Sequence, residues 1–305
     1  MVTLLRAPNP SPMTLDGTNG YVVSVGPGAV VAIDPGIDDA AHIQAFLDVA
    51  RGARAEFAAI LVTHGHPDHY PGALALRRAT NAPIYAHPSA AYGHDRALDE
   101  GTRLTFADAA FVALHAPGHA PDHLVFWLEE ARALFTGDVV IGTGTVVIAP
   151  PSGDMRVYQA SLERLLRDYG DSAATIYGGH GPIVDAPRAK IEEYIEHRKL
   201  REKQLVTTLA RGAATIPDLV AGIYAGVSET LWPAAARQVL AYLIALEREG
   251  RVTATPLERE PTVAEARLLN PNVASLAGPA DRAMARAELG IGGPREPLLR
   301  YALLA

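Results

Sequence analysis

The chain has 305 residues, 49% of them hydrophobic, which is enough to bury a large core or to form two domains. Its 27 basic and 34 acidic residues give a formal charge of −7, which opposes general attraction to a phosphate backbone. There is no cysteine, so disulfides, thiolate ligands and cysteine nucleophiles are excluded, and any transition-metal site must use imidazole and carboxylate.

The opening segment, MVTLLRAPNPSPM, lacks the apolar core and small-residue cleavage site of an export signal. No apolar run approaches the length of a bilayer span, so a cytoplasmic protein is expected. Short β-branched runs then follow one another: YVVSV, AVVAI, AAILV and APIYA, and later FVAL, LVFWL and TVVIA, each bounded by Gly, Pro or Asp. All seven are predicted strands. Helical patterns lie between some of them, from Asp38 to Gly52 and from Gly72 to Thr80, the second closed by Asn81-Ala82-Pro83. Strands in direct succession mixed with strands separated by helices predict mixed sheets covered by helices, an α/β architecture.

The texture changes after about residue 187. AKIEEYIEHRKLREKQLVTTLARG, IPDLVAGIYAG and PAAARQVLAYLIALEREG read as three helices, and RVTAT as a strand. This order suggests a winged-helix-like domain over 188–305, with 258–297 as a long excursion and LLRYALLA as a returning strand. Residues 1–187 carry 11 basic and 20 acidic side chains, net −9, and 188–305 carry 16 and 14, net +2. The second part is therefore no strong nucleic-acid signature, and it reads as a packing or cleft-forming module. The charges over 190–203 read as a solvated helix face. There is no internal repeat.

The chemistry concentrates in THGHPDHY, residues 63–70, between the strand AAILV and the helix that follows. His64 and His66, two residues apart in extended chain, point the same way, whereas Asp68 and His69 beyond Pro67 face elsewhere. Two neighbouring metal positions follow, each short of the three or four ligands that Zn²⁺ requires. The missing donors lie at other strand ends beside glycine: His119 in APGHAPDH, Asp138 in LFTGDVV and His180 in YGGHGP. Five histidines and two aspartates complete a set for two ions with one bridging carboxylate.

This pattern resembles the metallo-β-lactamase superfamily over essentially all of residues 1–187. The resemblance implies a four-layer αββα sandwich with the metal site at the edges of two facing sheets. It implies His64, His66 and His119 as ligands of one ion, Asp68, His69 and His180 as ligands of the other, and Asp138 between them. Asp34 in AIDPG matches the aspartate that orients a ligand imidazole. The stretch from YGGHGP into the charged helix resembles β-lactamase-like proteins with a C-terminal winged helix, a group that includes a mitochondrial endoribonuclease and fungal polyketide thioesterases. Without a cysteine ligand, hydrolysis of β-lactam antibiotics is not expected.

Two cations about 3.5–4 Å apart lower the pKa of a shared water and polarise the bond under attack, so hydrolysis is the expected reaction. Asp68 and Asp138 are the expected catalytic carboxylates, and His123 is a candidate donor to substrate. Tyr70 is read as a pocket wall. His42, His87, His94, His115 and His197 are read as surface or supporting residues, with His87 and His94 as candidates to line the pocket. The leading expectation is a dinuclear-zinc hydrolase of a small-molecule carboxylic ester or thioester. An endoribonuclease acting on single-stranded RNA is the competing enzyme reading, and a non-catalytic metal-binding or scaffold protein the third. Iron or manganese suits the same donors, and the subunit count is not legible.

Overall fold

The structure, a computed structural model, describes residues 1–259, 262–269 and 298–304. Two compact units divide it: residues 1–146 with 157–195, and residues 147–156 with the chain from 196 onward. Among the described residues no helix is long and apolar enough to cross a membrane.

The first unit is built on two sheets. In the first, β1 (Val2–Arg6), β2 (Asn19–Gly26), β3 (Ala29–Ile33), β4 (Glu56–Leu61), β5 (Ile84–Ala86) and β6 (Arg96–Ala97) lie side by side in chain order. The β1–β2 and β2–β3 pairs are antiparallel hairpin neighbours, while β3–β4 and β4–β5 are parallel. Parallel neighbours need a crossover, supplied by α1 (Ala40–Gly52) and α2 (Pro71–Thr80). The second sheet has the order β11 (Thr175–Gly178), β10 (Ala133–Gly137), β9 (Leu124–Leu128), β8 (Ala109–His115), β7 (Arg103–Phe106). Here β10 and β11 are parallel across α3 (Met155–Tyr169), and the other pairs are antiparallel.

Alternation along the strands sends neighbouring residues to opposite faces. Val23, Val31 and Leu61 point inward to meet Phe111, Phe126 and Phe135 of the second sheet. Val22, Val30 and Ile60 point outward against Ile43, Phe46 and Leu76 of α1 and α2. The second sheet is covered from outside by α3: Tyr158 donates its hydroxyl to Val139 O at 2.7 Å, and Ser161 donates to Pro117 O at 2.8 Å. Strands buried on both faces follow from these four layers, which explains why their sequences read as continuous apolar runs.

The second unit contains the later part of α4 (Pro187–Leu209), α5 (Ile216–Ile223) and α6 (Trp232–Arg248). Its sheet has the order β12 (Ala214–Thr215), β14 (Leu299–Leu303), β13 (Val252–Pro256). The predicted returning strand is present, antiparallel to β13 with Ala254 opposite Tyr301. A reciprocal cap starts α5: Asp218 N–H donates to Thr215 Oγ1, and Thr215 N–H donates to the Asp218 carboxylate. The 258–297 excursion lies largely outside the described residues; α7 (Val263–Leu269) falls within it.

The predicted strand TVVIA is not a strand. Val146 and Ile148 are buried, but Ile148 N–H is satisfied at 3.0 Å by the side-chain oxygen of Gln238 rather than by a ladder partner. The run is apolar because it packs, and residues 147–156 belong to the second unit. Arg156 bonds Glu202 and Glu249, and Arg248 bonds Asp154 at 2.6 Å. The expected boundary at 187 coincides with the start of α4, whereas the contact-defined units divide within that helix, after residue 195.

Candidate metal centre

Four strand ends converge at one edge of the sandwich. The loop after β4 carries His64, His66, Asp68 and His69; the β8–β9 loop carries His119; Asp138 directly follows β10; His180 lies two residues beyond β11. The chain leaves β4 in a fixed direction because Asp34, at the end of β3, captures what comes next. Its Oδ1 accepts Thr63 N–H at 2.7 Å, and its Oδ2 accepts the Thr63 hydroxyl at 2.6 Å and faces His69 Nδ1 at 2.9 Å. Asp34 has a positive φ of 44°, a left-handed conformation that aspartate tolerates better than most residues. Downstream, His69 N–H closes a turn onto His66 O at 2.9 Å, and Pro71 opens α2, where its missing N–H costs nothing.

The seven predicted residues form two groups, His64, His66, His119 and Asp138, and Asp68, His69 and His180; within each, one donor atom per residue lies within 4.8 Å of all the others. In the first group, His66 Nδ1 is 2.9 Å from both His64 Nε2 and His119 Nε2, and Asp138 Oδ2 is 3.5 Å from His119 Nε2. In the second, Asp68 Oδ2 is 3.3 Å from His69 Nε2 and 3.4 Å from His180 Nε2. Asp138 Oδ1 completes it, 3.5 Å from His69 Nε2 and 3.4 Å from His180 Nε2. A tetrahedral ion with ligands at about 2.0 Å has edges of about 3.3 Å, so these separations suit such ions. His69 Nε2 and Asp138 Oδ1 are also buried without a hydrogen-bond partner, as expected of atoms whose partner is a metal.

Hydrogen bonding fixes the tautomers. Thr63 gives its hydroxyl proton to Asp34, so its oxygen accepts from His64 Nδ1 at 3.0 Å and leaves the Nε2 lone pair facing the first site. His69 is turned the same way by Asp34. Burial, aided by the neighbouring His69, holds His64 well below the usual imidazole range, and burial also lowers His66. In the second group burial works against charge but loses: Asp68 and Asp138 raise His69 well above the usual range, and Asp138 raises His180 to about 9. Burial likewise opposes ionisation of Asp138, yet His180 and His69 hold its carboxyl well below the carboxylate range. The first group offers neutral nitrogens; the second offers imidazoles that exchange protons for a cation.

Glycines make room for this packing. A Cβ on Gly179 would lie 2.4 Å from Asp138 Oδ1, and one on Gly137 would lie 2.5 Å from Thr63 Oγ1. Gly65 sits between Asp122 and Tyr92, with a virtual Cβ at 3.1 and 3.2 Å from them. Tyr92 stacks on Tyr70 at 4.5 Å, so both tyrosines form a wall beside the ligand loop.

His123 requires correction. It is wholly buried, stacks on His64 at 4.5 Å, and accepts Asp138 N–H on Nε2 at 3.1 Å. With Nε2 occupied and no exposed edge, it supports Asp138 from inside the fold, and its Nδ1 is buried without a hydrogen-bond partner. His42 is also no surface residue: it is buried on α1, edge-on to Phe46 at 5.2 Å. His87 and His115 are half-buried and stacked at 4.1 Å, and His87 influences Asp122. His94 bonds Tyr92 O at 3.1 Å, and His197 lies half-buried on α4. Thr63, Thr18, Asn19 and Asp122 were not legible as site residues, because their side chains act through hydrogen bonds that no local spacing encodes.

Comparison with known proteins agrees with this geometry. The model of the metallo-beta-lactamase superfamily matches residues 13–180, and that of the beta-lactamase associated winged helix domain matches residues 215–258. A beta-lactamase-like protein 2 homolog of Caenorhabditis elegans is 32% identical, the match covering 82% of this chain and 85% of that protein. An atrochrysone carboxyl ACP thioesterase of Aspergillus fumigatus is 31% identical over 71% of each chain. A metallo-beta-lactamase family protein of Thermus thermophilus shares the fold, with a TM-score of 0.67 and 24% identity, covering 83% of this chain and 95% of that one. The chain belongs to the metallo-beta-lactamase superfamily. It is a hydrolase of that superfamily, with a histidine and aspartate cluster that suits metal ions and a C-terminal winged helix.

Proposed function

We propose that the protein is a two-zinc hydrolase of a thioester or carboxylic ester, with His64, His66 and His119 holding one ion, Asp68, His69 and His180 the other, and Asp138 both. The observation that carries this reading is Asp138: one carboxylate oxygen faces the first group and the other faces the second. When bound, such a pair of cations supplies Lewis acidity, lowering the pKa of a shared water and polarising the carbonyl.

The chain's own residues supply order. Asp34 and Thr63 fix the imidazoles before substrate arrives, His123 holds the backbone of Asp138, and the Tyr70–Tyr92 stack walls the ligand loop. An acyl substrate fits the electrostatics better than a polyanion. The groups that most perturb the donors are their own imidazoles and carboxylates, with no lysine or arginine among them, and the first lysine of the chain is Lys190. The thioesterase relative supports the same class. In this reading the partner is a small acyl compound and the compartment is the cytoplasm.

The test is parallel turnover of an acyl thioester, a lactone and a single-stranded RNA by full-length protein of measured zinc content. Hydrolysis of the thioester is expected. Asp138→Ala should lower it on the order of a thousandfold, because several kcal/mol of charge stabilisation depend on the pair of ions. Cleavage of RNA alone would overturn the proposal.

A further inference from the structure

Thr18, at the entrance to β2, is fully buried, and its Oγ1 lies 2.9 Å from Asp68 Oδ2, fifty positions along the chain. The direction of this bond follows from its neighbours. Thr18 N–H donates to Asn9 Oδ1 at 2.9 Å, which orients the Asn9 amide so that Nδ2 donates to Thr18 Oγ1 at 3.0 Å. With that lone pair occupied, the single hydroxyl proton of Thr18 goes to Asp68. The oxygen it reaches is the one that faces His69 Nε2 and His180 Nε2, so the hydroxyl takes one lone pair and leaves the inward one for an ion.

The next residue grips the other side. Asn19 N–H donates to Gly179 O at 2.7 Å, and its side-chain amide donates to Gly178 O at 3.0 Å and Gly181 O at 2.9 Å, bracketing His180. Arg6 Nε donates to Asn19 Oδ1 at 3.2 Å, which fixes that amide's orientation. Thr18 itself bridges His180 through the backbone. Thus the start of β2 holds Asp68 directly and the turn that carries His180, whereas the first group is held from elsewhere, through Asp34 and Thr63.

We propose that Thr18 is a positioning residue that sets the affinity of the second metal site, through Asp68, without setting that of the first. This rests on the two-ion reading, and the experiment separates the two. Full-length metal-free protein is titrated with zinc(II) in competition with a chromophoric chelator, as wild type, Thr18→Val, Thr18→Ser and Asn9→Ala. Wild type should take up two equivalents. Thr18→Val should keep the first and bind the second about 10–100-fold more weakly, the usual cost of losing a hydrogen bond to a ligand. Thr18→Ser, which keeps the hydroxyl, should restore it; Asn9→Ala should weaken the second equivalent in the same direction by less, and serves if the valine variant does not fold. Uptake of two equivalents with unchanged affinities by both Thr18→Val and Asn9→Ala, or equal weakening of both sites, would overturn the proposal. A single equivalent in wild type would instead sink the two-ion reading beneath it.

Discussion

Asp34 accepts hydrogen bonds that fix two ligands at once, His69 directly and His64 through Thr63. Removing its carboxylate leaves the Thr63 amide, the Thr63 hydroxyl and His69 Nδ1 without their acceptor in a buried place. Each such group costs about 1–3 kcal/mol. Asp34→Ala should therefore lower the thermal midpoint by several degrees and weaken zinc binding at both groups about 10–100-fold, read by calorimetry and by chelator competition. Loss at one group alone would mean that the Thr63 link does not matter. Contrast with Thr18, which reaches only the second group, makes the two residues a matched pair of probes.

At the scale of elements, the segment 147–156 follows the last residues of the β10 loop, 138–146, and is fastened within the second unit by charge. Arg156 is shared between Glu202 and Glu249, and Arg251 bonds both. Hydrogen bonding from Arg156 holds both carboxyls below their usual range, in Glu202 against the effect of burial. A depressed carboxyl contributes stability above its unfolded pKa, about 4.5, and that contribution is lost as pH falls through the folded value. Denaturant titrations of wild type and Glu202→Gln should therefore differ most above the unfolded value and converge only as pH falls through the depressed folded value. A difference that persists unchanged into acid would show that the charge of Glu202 is irrelevant. The same segment shows where the sequence misleads: Thr145–Ala149 has the β-branched run of a strand, yet its partner is a glutamine side chain from α6.

For the molecule as a whole, the parts legible in advance were those with a period or a spacing. The apolar strands, the two crossover helices and the seven donors all follow from local pattern, because the ligands stand in loops at strand ends and five of the seven, all but Asp68 and His69, have a glycine beside them. β1, β7 and α3 carried no prediction, although α3 is an amphipathic run, and the buried support of the site was invisible. Thr18 meets Asp68 only once β2, β3 and β4 have paired within the first sheet, and His123 meets Asp138 only once β9 and β10 have paired within the second. His123 shows the limit: its motif shares a loop with His119, but its side chain points into the interior.

Anomalous diffraction from crystals of the zinc-loaded full-length chain, recorded on both sides of the zinc edge, tests the central claim most directly. Two peaks are predicted, one among His64, His66 and His119, the other among Asp68, His69 and His180, each within bonding distance of a different oxygen of Asp138. A single peak, or an Asp138 carboxylate turned away from either ion, would contradict the account.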